Sequence, residues 1–345
     1  MRAAVIHAAR DLRLDDVPEG ELGPDEVRIT FGAGGICGSD LSYYGKGRVG
    51  DFAVRRPMVL GHEVAGTVLE TGRAVAGLAP GMRVAVDPSR PCLSCADCRE
   101  GRGHLCRDMR FFGSAARDPH VQGAFSERFV ARADQCVPVP DTVPMRVAAT
   151  AEPLAVALHG IRRAGELLGR DVVVAGAGPI GLLLVMAARL AGAARITVTD
   201  LAEEPLRIAR EIGAAETIRV GQEPDGLARY EADRGRFDVA LEATGAPAAL
   251  ASLFRVVRPG GRVVQIGMMP PGDVPVPVNR LMAREIDFVG SFRFGAEFRT
   301  AVALLASGRI DVAPILSAEM PASDLPAAFA LAADRTRAIK VHLRF

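Results

Sequence analysis

Several features that mark particular classes of protein are scarce in this sequence. The 345 residues include no tryptophan and three tyrosines, and aromatic residues make up 5% of the chain. Forty-two Lys and Arg residues oppose forty-one Asp and Glu residues, which leaves a formal charge of +1. Because the chain has neither a basic excess nor an aromatic stacking surface, we expect no nucleic-acid partner.

Long apolar runs are missing too. The uncharged stretch 172–188 is slightly short for a bilayer span and is interrupted near its start by three glycines and a proline. We interpret it as a buried strand (172–175), a tight turn and a buried helix (179–192), and expect no membrane association. The first residues predict a short strand rather than an apolar signal region, so the expected localisation is cytoplasmic.

The six cysteines are few, which agrees with a reducing compartment, but four of them are closely spaced. They form the pattern C-x2-C-x2-C-x7-C at Cys92, Cys95, Cys98 and Cys106. Four thiolates from so short a segment reach one tetrahedral zinc only if the segment (about 88–108) folds back as a lobe. Its polar, turn-rich composition suits a lobe held by metal rather than by a core. One alternative is an iron–sulfur cluster, although the ferredoxin motif C-x2-C-x2-C-x3-C-P has a shorter last gap, followed by proline. The other alternative is that the cysteines form disulfides or remain free thiols. Of the other two cysteines, Cys37 belongs to a second candidate metal site and Cys136 has no assigned role.

The pattern of predicted elements changes along the chain, and 345 residues exceed one typical core. The N-terminal part favours short strands at 27–31, 64–70, 82–86 and 125–130, typical of an antiparallel barrel or sandwich. From about residue 147, apolar strands alternate with helices, which predicts a parallel sheet covered on both faces: 171–175, 179–192, 195–199, 205–212, 237–243, 246–257 and 261–266. A last strand, helix and strand (288–292, 296–307, 339–345) are expected to return to the first domain. We therefore predict an α/β protein with a β-rich domain formed by 1–146 and 288–345, and a parallel-sheet domain formed by 147–287.

A glycine-rich turn in the second domain has the context of a dinucleotide site. The motif at Gly176, Gly178 and Gly181, with Pro179 and Ile180 between the last two, follows a predicted strand and opens a helix. Gly176 permits the turn, Gly178 lets a pyrophosphate approach backbone N–H groups, and Gly181 permits close helix–strand packing. Asp200 ends the next strand, where it would accept hydrogen bonds from ribose hydroxyls and repel a 2′-phosphate. NAD is therefore favoured, with NADP possible because Arg207 lies nearby in the sequence.

A second candidate metal site uses residues far apart in sequence, as open catalytic sites do. Cys37 lies in Gly-Gly-Ile-Cys-Gly-Ser-Asp, His62 and Glu63 lie in Val-Leu-Gly-His-Glu-Val, and Glu152 lies in Ala-Glu-Pro-Leu-Ala. Each residue alone could have a purely structural role: Cys37 as a small core residue, His62 as a buried imidazole with satisfied hydrogen bonds, and the glutamates as solvated helix caps. Their occurrence together with the zinc lobe and the nucleotide turn favours a catalytic metal.

In order along the chain, these motifs resemble those of the zinc-dependent medium-chain dehydrogenases/reductases, and within them the polyol branch. The resemblance implies a GroES-like catalytic domain, a Rossmann NAD-binding domain and two zinc ions per chain, one catalytic and one structural. It implies that Cys37, His62 and a glutamate, either Glu63 or Glu152, surround the catalytic zinc. It also implies that Asp40 orients the His62 ring and that Ser39 passes on the substrate proton, whereas Ser42 stands where relatives often have a relay histidine.

The resemblance further implies reversible hydride transfer from a secondary alcohol to NAD(P), here oxidation of L-idonate to 5-keto-D-gluconate. The alternative is a polyol dehydrogenase acting on an uncharged sugar alcohol such as sorbitol or xylitol. An aldonate carboxylate requires a cation, for which Arg293 and Arg110 are candidates, and Tyr43 is a further candidate substrate contact. A homo-oligomer, dimer or tetramer, is expected. A non-catalytic nucleotide-binding protein on this fold would hold one zinc ion rather than two.

Overall fold

The computed structural model describes all residues from Met1 to Phe345. Twenty strands account for the sheets of the molecule: β1 Arg2–Ala8, β2 Asp11–Asp16, β3 Glu26–Gly35, β4 Arg48–Val49, β5 Phe52–Ala53, β6 Met58–Val59, β7 Glu63–Thr71, β8 Arg83–Val86, β9 Ser89–Arg90, β10 Arg110–Phe111, β11 Arg128–Arg132, β12 Cys136–Pro138, β13 Asp171–Ala175, β14 Arg195–Asp200, β15 Glu216–Arg219, β16 Phe237–Glu242, β17 Val257–Gln265, β18 Asp287–Gly290, β19 Leu316–Pro321 and β20 Lys340–Arg344.

Ten α-helices connect and cover these strands: α1 Gly38–Lys46, α2 Ala96–Arg99, α3 Met145–Ala149, α4 Ala151–Ala164, α5 Pro179–Leu190, α6 Glu203–Glu211, α7 Pro247–Val256, α8 Val278–Arg284, α9 Glu297–Ala306 and α10 Leu325–Ala333. None of them has the length and apolar character needed to span a bilayer. The uncharged stretch 172–188 is divided between β13 and α5, as its glycines predict.

The chain forms two units, which we call the first unit (Met1–Glu152, Phe298–Asp334, Lys340–Phe345) and the second unit (Pro153–Glu297, Arg335–Ile339). The first unit contains a seven-stranded sheet in the order β12-β8-β7-β3-β20-β19, with β11 paired to β3. Its pairs are antiparallel except β19 with β20. Because β3 alternates between buried and exposed positions before becoming buried throughout, its last residues lead directly into the interior.

The second unit contains a six-stranded parallel sheet in the order β15-β14-β13-β16-β17-β18. This order places the first strand, β13, in the middle and builds outwards in both directions, which is the dinucleotide-binding arrangement. Strands β13 and β16 are buried over almost their whole length, as expected for a sheet covered on both faces. The switch in strand order between β13 and β16 coincides with the end of β13, where the glycine turn begins.

The division between the units differs from the predicted boundaries. The first crossing lies between Glu152 and Pro153, inside α4, and the second between Glu297 and Phe298, inside α9, rather than at 287. Strand β18, expected to return to the first domain, instead adds to the parallel sheet beside β17. The reason is its register, since four consecutive residues of β18 pair with β17, and this pairing is not visible in the local sequence.

Candidate metal centres and nucleotide site

The first unit brings Cys37, His62 and Glu63 together in its interior. One candidate ligand atom from each lies within 4.8 Å of the others. Cys37 caps the N-terminus of α1 directly after β3, and Glu63 opens β7 directly after His62. Since β3 and β7 are antiparallel and pair Gly35 with Glu63, the end of one strand meets the start of the other. This register is what joins two motifs that are well separated in the sequence.

The chemistry of these three side chains fits a divalent metal ion. His62 Nδ1 is buried without a hydrogen-bond partner, whereas the buried Glu63 carboxylate is paired with Lys340. Burial and the neighbouring Glu63 carboxylate raise the pKa of the Cys37 thiol to about 12. A thiol in such surroundings ionises near neutral pH only when a cation compensates its charge, and a soft thiolate with an imidazole and a carboxylate suits zinc.

Lys340 was not among the predicted site residues. It lies on β20, fully buried, and its Nζ donates hydrogen bonds to Glu63 Oε1 at 2.6 Å and to the Ile36 carbonyl at 3.2 Å. Burial alone would lower the pKa of Lys340, but the adjacent Glu63 raises it above its usual value, so the ammonium form is present at neutral pH. The sequence carried little signal for this, because polar and apolar residues alternate in Lys340–Arg344, as they do in a strand with one exposed face.

His342 lies two residues after Lys340 on β20, so its side chain is on the same face of the strand. Both of its ring nitrogens are buried without a hydrogen-bond partner. Burial, together with the positive charges of Lys340 and Arg146, lowers the pKa of His342 to about 3. The interior around the Glu63–Lys340 pair therefore contains one cation, because the imidazole stays neutral.

Glu152 lies in the first turn of α4 and is buried, but its carboxylate is not part of the group formed by Cys37, His62 and Glu63. Burial raises the pKa of Glu152 well above its usual value, and His62 opposes this effect while Glu63 adds to it. Glu152 is thus electrostatically linked to His62 and Glu63, although Glu63 is the glutamate placed in the group with Cys37 and His62.

Asp40 and Ser39 lie in the first turn of α1, next to Cys37. The Asp40 carboxylate accepts a hydrogen bond from the Cys37 backbone N–H at 2.9 Å and a longer one from Gly61 N at 3.4 Å. Its Oδ1 is 3.8 Å from His62 Nδ1, which is too long for a hydrogen bond. Asp40 therefore fixes the backbone on both sides of the site, while the predicted bond to the imidazole is not formed. The Ser39 hydroxyl interacts with the Cys37 thiol and lowers its pKa, in opposition to burial.

The four cysteines of the lobe form a second group, with ligand atoms all within 4.8 Å of one another. The Cys95 and Cys98 sulfurs are 3.5 Å apart and the Cys92 and Cys98 sulfurs 4.0 Å apart, and no cysteine forms a disulfide. Thiolates bound about 2.3 Å from one tetrahedral zinc lie about 3.8 Å from one another, so the observed separations fit that geometry. Hydrogen bonds from Ser94 and nearby backbone N–H groups lower the pKa of Cys92 to about 6, which favours the thiolate.

In the second unit, the glycine turn joins β13 to α5, with Pro179 and Ile180 in the first helical turn. Gly176 has a φ of +95°, and a Cβ on Gly181 would lie 1.9 Å from the Gly176 carbonyl oxygen, so neither position accepts a side chain. A Cβ on Gly178 would meet nothing within 4 Å, which leaves the backbone there open to an approaching ligand. Asp200 Oδ2 accepts a hydrogen bond from Ala177 N at 2.7 Å, so the acidic group is held beside the turn.

The three candidate substrate residues occupy different places. Tyr43 is buried in α1, and its hydroxyl accepts a hydrogen bond from Ala115 N at 3.0 Å, which gives it a structural role. Arg110 is exposed and lines a cavity of about 380 Å³ beside the cysteine lobe. Its neighbour Phe111 lies 5.5 Å from the His62 ring, so the alternation of a strand directs Arg110 to the opposite side. Arg293, in the second unit, has a φ of +54°, and its guanidinium stacks on the Phe292 ring at 4.8 Å.

Comparisons with known proteins agree with these arrangements. Residues 23–141 match the family model of the alcohol dehydrogenase GroES-like domain, and residues 179–307 match that of zinc-binding dehydrogenases. The chain is 45% identical over 319 residues to L-idonate 5-dehydrogenase (NAD(P)(+)) of Escherichia coli K12, covering 92% of this chain and 91% of that protein. It is 39% identical over 322 residues to sorbitol dehydrogenase of Gallus gallus, covering 92% and 89%. The crystal structure of the E. coli L-idonate 5-dehydrogenase is similar with a TM-score of 0.95 and 40% identity, covering 100% of this chain and 98% of that chain.

A parallel sheet with a dinucleotide turn, together with a buried Cys-His-Glu group, defines an alcohol dehydrogenase of the metal-dependent kind. The chain belongs to the zinc-dependent medium-chain dehydrogenase/reductase family, in its polyol dehydrogenase branch, as the sequence motifs predict.

Proposed function

We propose that the protein oxidises L-idonate to 5-keto-D-gluconate, reversibly, with NAD or NADP as hydride acceptor. The observation that carries this proposal is the buried group of Cys37, His62 and Glu63, whose chemistry suits a catalytic zinc. The choice of substrate is supported by the 45% identity to an L-idonate 5-dehydrogenase, which exceeds the 39% identity to a sorbitol dehydrogenase over a similar length.

Cys37, His62 and Glu63 would hold the catalytic zinc. When bound, zinc supplies a Lewis acid that lowers the pKa of a substrate hydroxyl, and the nicotinamide supplies the hydride acceptor. Lys340 compensates the charge of Glu63, so the ligand set contributes less negative charge than its formal two units. A more positive centre stabilises negative charge that develops on the reacting oxygen.

The proton released from the substrate hydroxyl requires a path out of the buried site. Ser39 is half-buried at the N-terminus of α1, beside Cys37, so its hydroxyl can accept that proton and donate its own outwards. Asp40 fixes the turn that carries Ser39 by accepting the Cys37 N–H. We assign Ser39 to proton transfer and Asp40 to positioning. Glu152 adds a second buried carboxyl group near His62, and burial raises its pKa.

The carboxylate of an aldonate is assigned to Arg293. A non-glycine residue at φ +54° is held there by its surroundings at an energetic cost, and such positions concentrate at functional sites. Its stacking on Phe292 limits the orientations of the guanidinium, which favours a planar bidentate contact with a carboxylate.

Steady-state rates on L-idonate and sorbitol, for the natural protein and Arg293→Ala, test the substrate proposal. We expect Arg293→Ala to lower kcat/KM for L-idonate by roughly ten- to a hundredfold, because one charged hydrogen-bonded contact is lost, and to change sorbitol turnover little. Arg110→Ala is the matched control and should change neither. Equal use of both substrates by the natural protein would reject the aldonate assignment and favour the polyol alternative.

Two zinc ions per chain are proposed, one at Cys37 and one in the cysteine lobe. The sulfur separations in the lobe and the grouping of Cys37, His62 and Glu63 support this number. Metal analysis of the purified protein should give two zinc ions per chain, falling to one in Cys37→Ser. One ion in the natural protein would contradict the proposal.

We also propose a homo-oligomer and a cytoplasmic location. Strand β18 ends the sheet of the second unit with one side unpaired, and exposed apolar side chains occur on and near it: Val278, Met282, Phe288 and Phe292. An open strand edge with apolar neighbours favours pairing with the same edge of a second copy. Sedimentation analysis should therefore show at least a dimer, and Val278→Glu with Met282→Glu should give monomers. Six cysteines outside disulfides agree with a reducing compartment.

A further inference from the structure

The end of β15 places an arginine beside Asp200. Strands β14 and β15 are parallel, and their register pairs Asp200 with Arg219. Residues that pair directly on adjacent strands have their side chains on the same face of the sheet. Asp200 and Arg219 therefore lie on one face, at the edge formed by the carboxyl ends of the strands. The glycine turn leaves the same edge, since β13 and β14 are also parallel and pair Ala175 with Thr199.

The guanidinium of Arg219 is positioned but not neutralised. Its Nε donates a hydrogen bond to the Leu201 carbonyl at 3.3 Å, one residue beyond Asp200, and the residue is partly buried. None of the ion pairs in the structure involves Arg219, whose side chain is held by this hydrogen bond. Its terminal N–H groups are thus available at the place where the chain turns past Asp200.

Arg207, which the sequence analysis named as the cation that would permit NADP, already binds two carboxylates. Its guanidinium binds both Glu204 oxygens, at 2.7 and 3.0 Å, and Glu211 at 3.2 Å, on the exposed face of α6. These carboxylates would have to be displaced before Arg207 could bind another anion. The spacing of three and four residues explains the pairing, because such residues are neighbours on a helix surface.

The Asp200 carboxylate is fixed by two backbone N–H groups, from Ala177 at 2.7 Å and Ala202 at 2.9 Å. Its remaining lone pairs can accept the ribose hydroxyls of a bound adenosine, as proposed for NAD. A phosphate on the 2′-oxygen would lie next to this carboxylate and be repelled by it, unless a cation stands close by. A guanidinium offers two parallel donors that match phosphate oxygens.

We propose that Arg219 binds the 2′-phosphate of NADP and so allows a site containing Asp200 to accept both nicotinamide coenzymes. This inference rests on the nucleotide-binding part of the proposed function. It makes Arg219 a specificity-determining residue: with it, the second unit tolerates the phosphate that Asp200 disfavours, and without it the site is restricted to NAD.

Calorimetric titration of the full chain with adenosine 2′,5′-bisphosphate and with adenosine 5′-monophosphate tests the inference. Arg219→Gln should weaken binding of the bisphosphate about tenfold or more, since a charged hydrogen-bonded contact is lost, and should leave the monophosphate unchanged. Arg207→Gln is the matched control and should leave both affinities unchanged. Arg219→Lys should restore part of the bisphosphate affinity.

The inference is overturned if Arg219→Gln leaves the ratio of the two affinities unaltered, or if Arg207→Gln lowers it instead. The titration needs no sugar substrate and no turnover, so it remains informative if the L-idonate assignment fails. Failure of the natural protein to bind the monophosphate would overturn the proposed nucleotide site and this inference with it.

Discussion

Replacing Lys340 by methionine tests whether the buried Glu63–Lys340 pair holds the metal site in its observed form. Methionine is close to lysine in length, so the substitution removes the ammonium group while retaining most of the packing. It leaves Glu63, which accepts a hydrogen bond from Lys340 Nζ at 2.6 Å, as a buried carboxylate near Cys37 and Glu152. The metal-free protein should therefore be destabilised.

The expected size follows from burial of both partners. Removing one member of a buried ion pair typically costs about 3–5 kcal/mol, because the other charge is left without compensation. For a unit of this size, that loss corresponds to a fall of roughly 10 °C in the unfolding midpoint. Zinc bound by Glu63 would compensate the same carboxylate, so the loss should be smaller in the zinc-loaded protein.

Thermal unfolding by circular dichroism, with and without zinc, measures both losses. Hydrogen exchange of the backbone amides in β7 and β20 shows whether these losses of stability occur in the first unit. Removal of zinc from the cysteine lobe affects the natural protein and the variant alike and cancels in their difference. Arg344→Met is the matched control on the same strand, since the Arg344–Glu319 contact is 4.0 Å long and exposed, and such pairs contribute at most about 1 kcal/mol. A midpoint unchanged by Lys340→Met in the metal-free protein would refute the reasoning.

Three further predictions concern other parts of the molecule. Cys98→Ser should lower the metal content from two zinc ions to one, whereas Cys136→Ser should leave two; elemental analysis decides, and two ions in the first variant would contradict the lobe site. Gly181→Ala should destabilise the second unit by at least about 1–3 kcal/mol in urea, since its Cβ has no room, while Gly178→Ala should be neutral; equal stabilities would be inconsistent with the turn described. Because the pKa of His342 is about 3 in the folded chain and the unfolded imidazole protonates below about 6.5, stability should fall by about 1.4 kcal/mol per unit of acidification between about pH 6 and pH 3. His342→Leu should remove that part of the slope, and an unaltered slope would assign it elsewhere.

Much of the fold could be predicted because the second unit depends on local patterns. The predicted strand 171–175 and helix 179–192 correspond to β13 and α5 within two residues, since the glycine turn marks the strand end and helix start. The helix predicted at 205–212 begins earlier, at Glu203, because two glutamates favour its first turn. The cysteine spacing predicted a compact group for the same reason, as all four ligands lie within one short segment.

What sequence reasoning missed depends on contacts between distant segments. The position of Glu63 beside Cys37 and His62 depends on the β3–β7 register, and Lys340 reaches Glu63 through β20, which pairs with the end of β3. Arg219 was missed because its proximity to Asp200 comes from a parallel pairing between strands. Such registers are set by the whole sheet, so residue spacing along the chain does not reveal them.

The two proposed metal sites differ in how much of the chain must be present before they can form. The lobe needs residues from Cys92 to Cys106 only, so it can take up its ion soon after that segment emerges during synthesis. Glu63 and Lys340 are 277 residues apart, and the salt bridge between them forms only once β20 has entered the sheet. We expect metal loading in a fixed order during biogenesis: the structural ion first, and the catalytic ion only after folding of the first unit is complete.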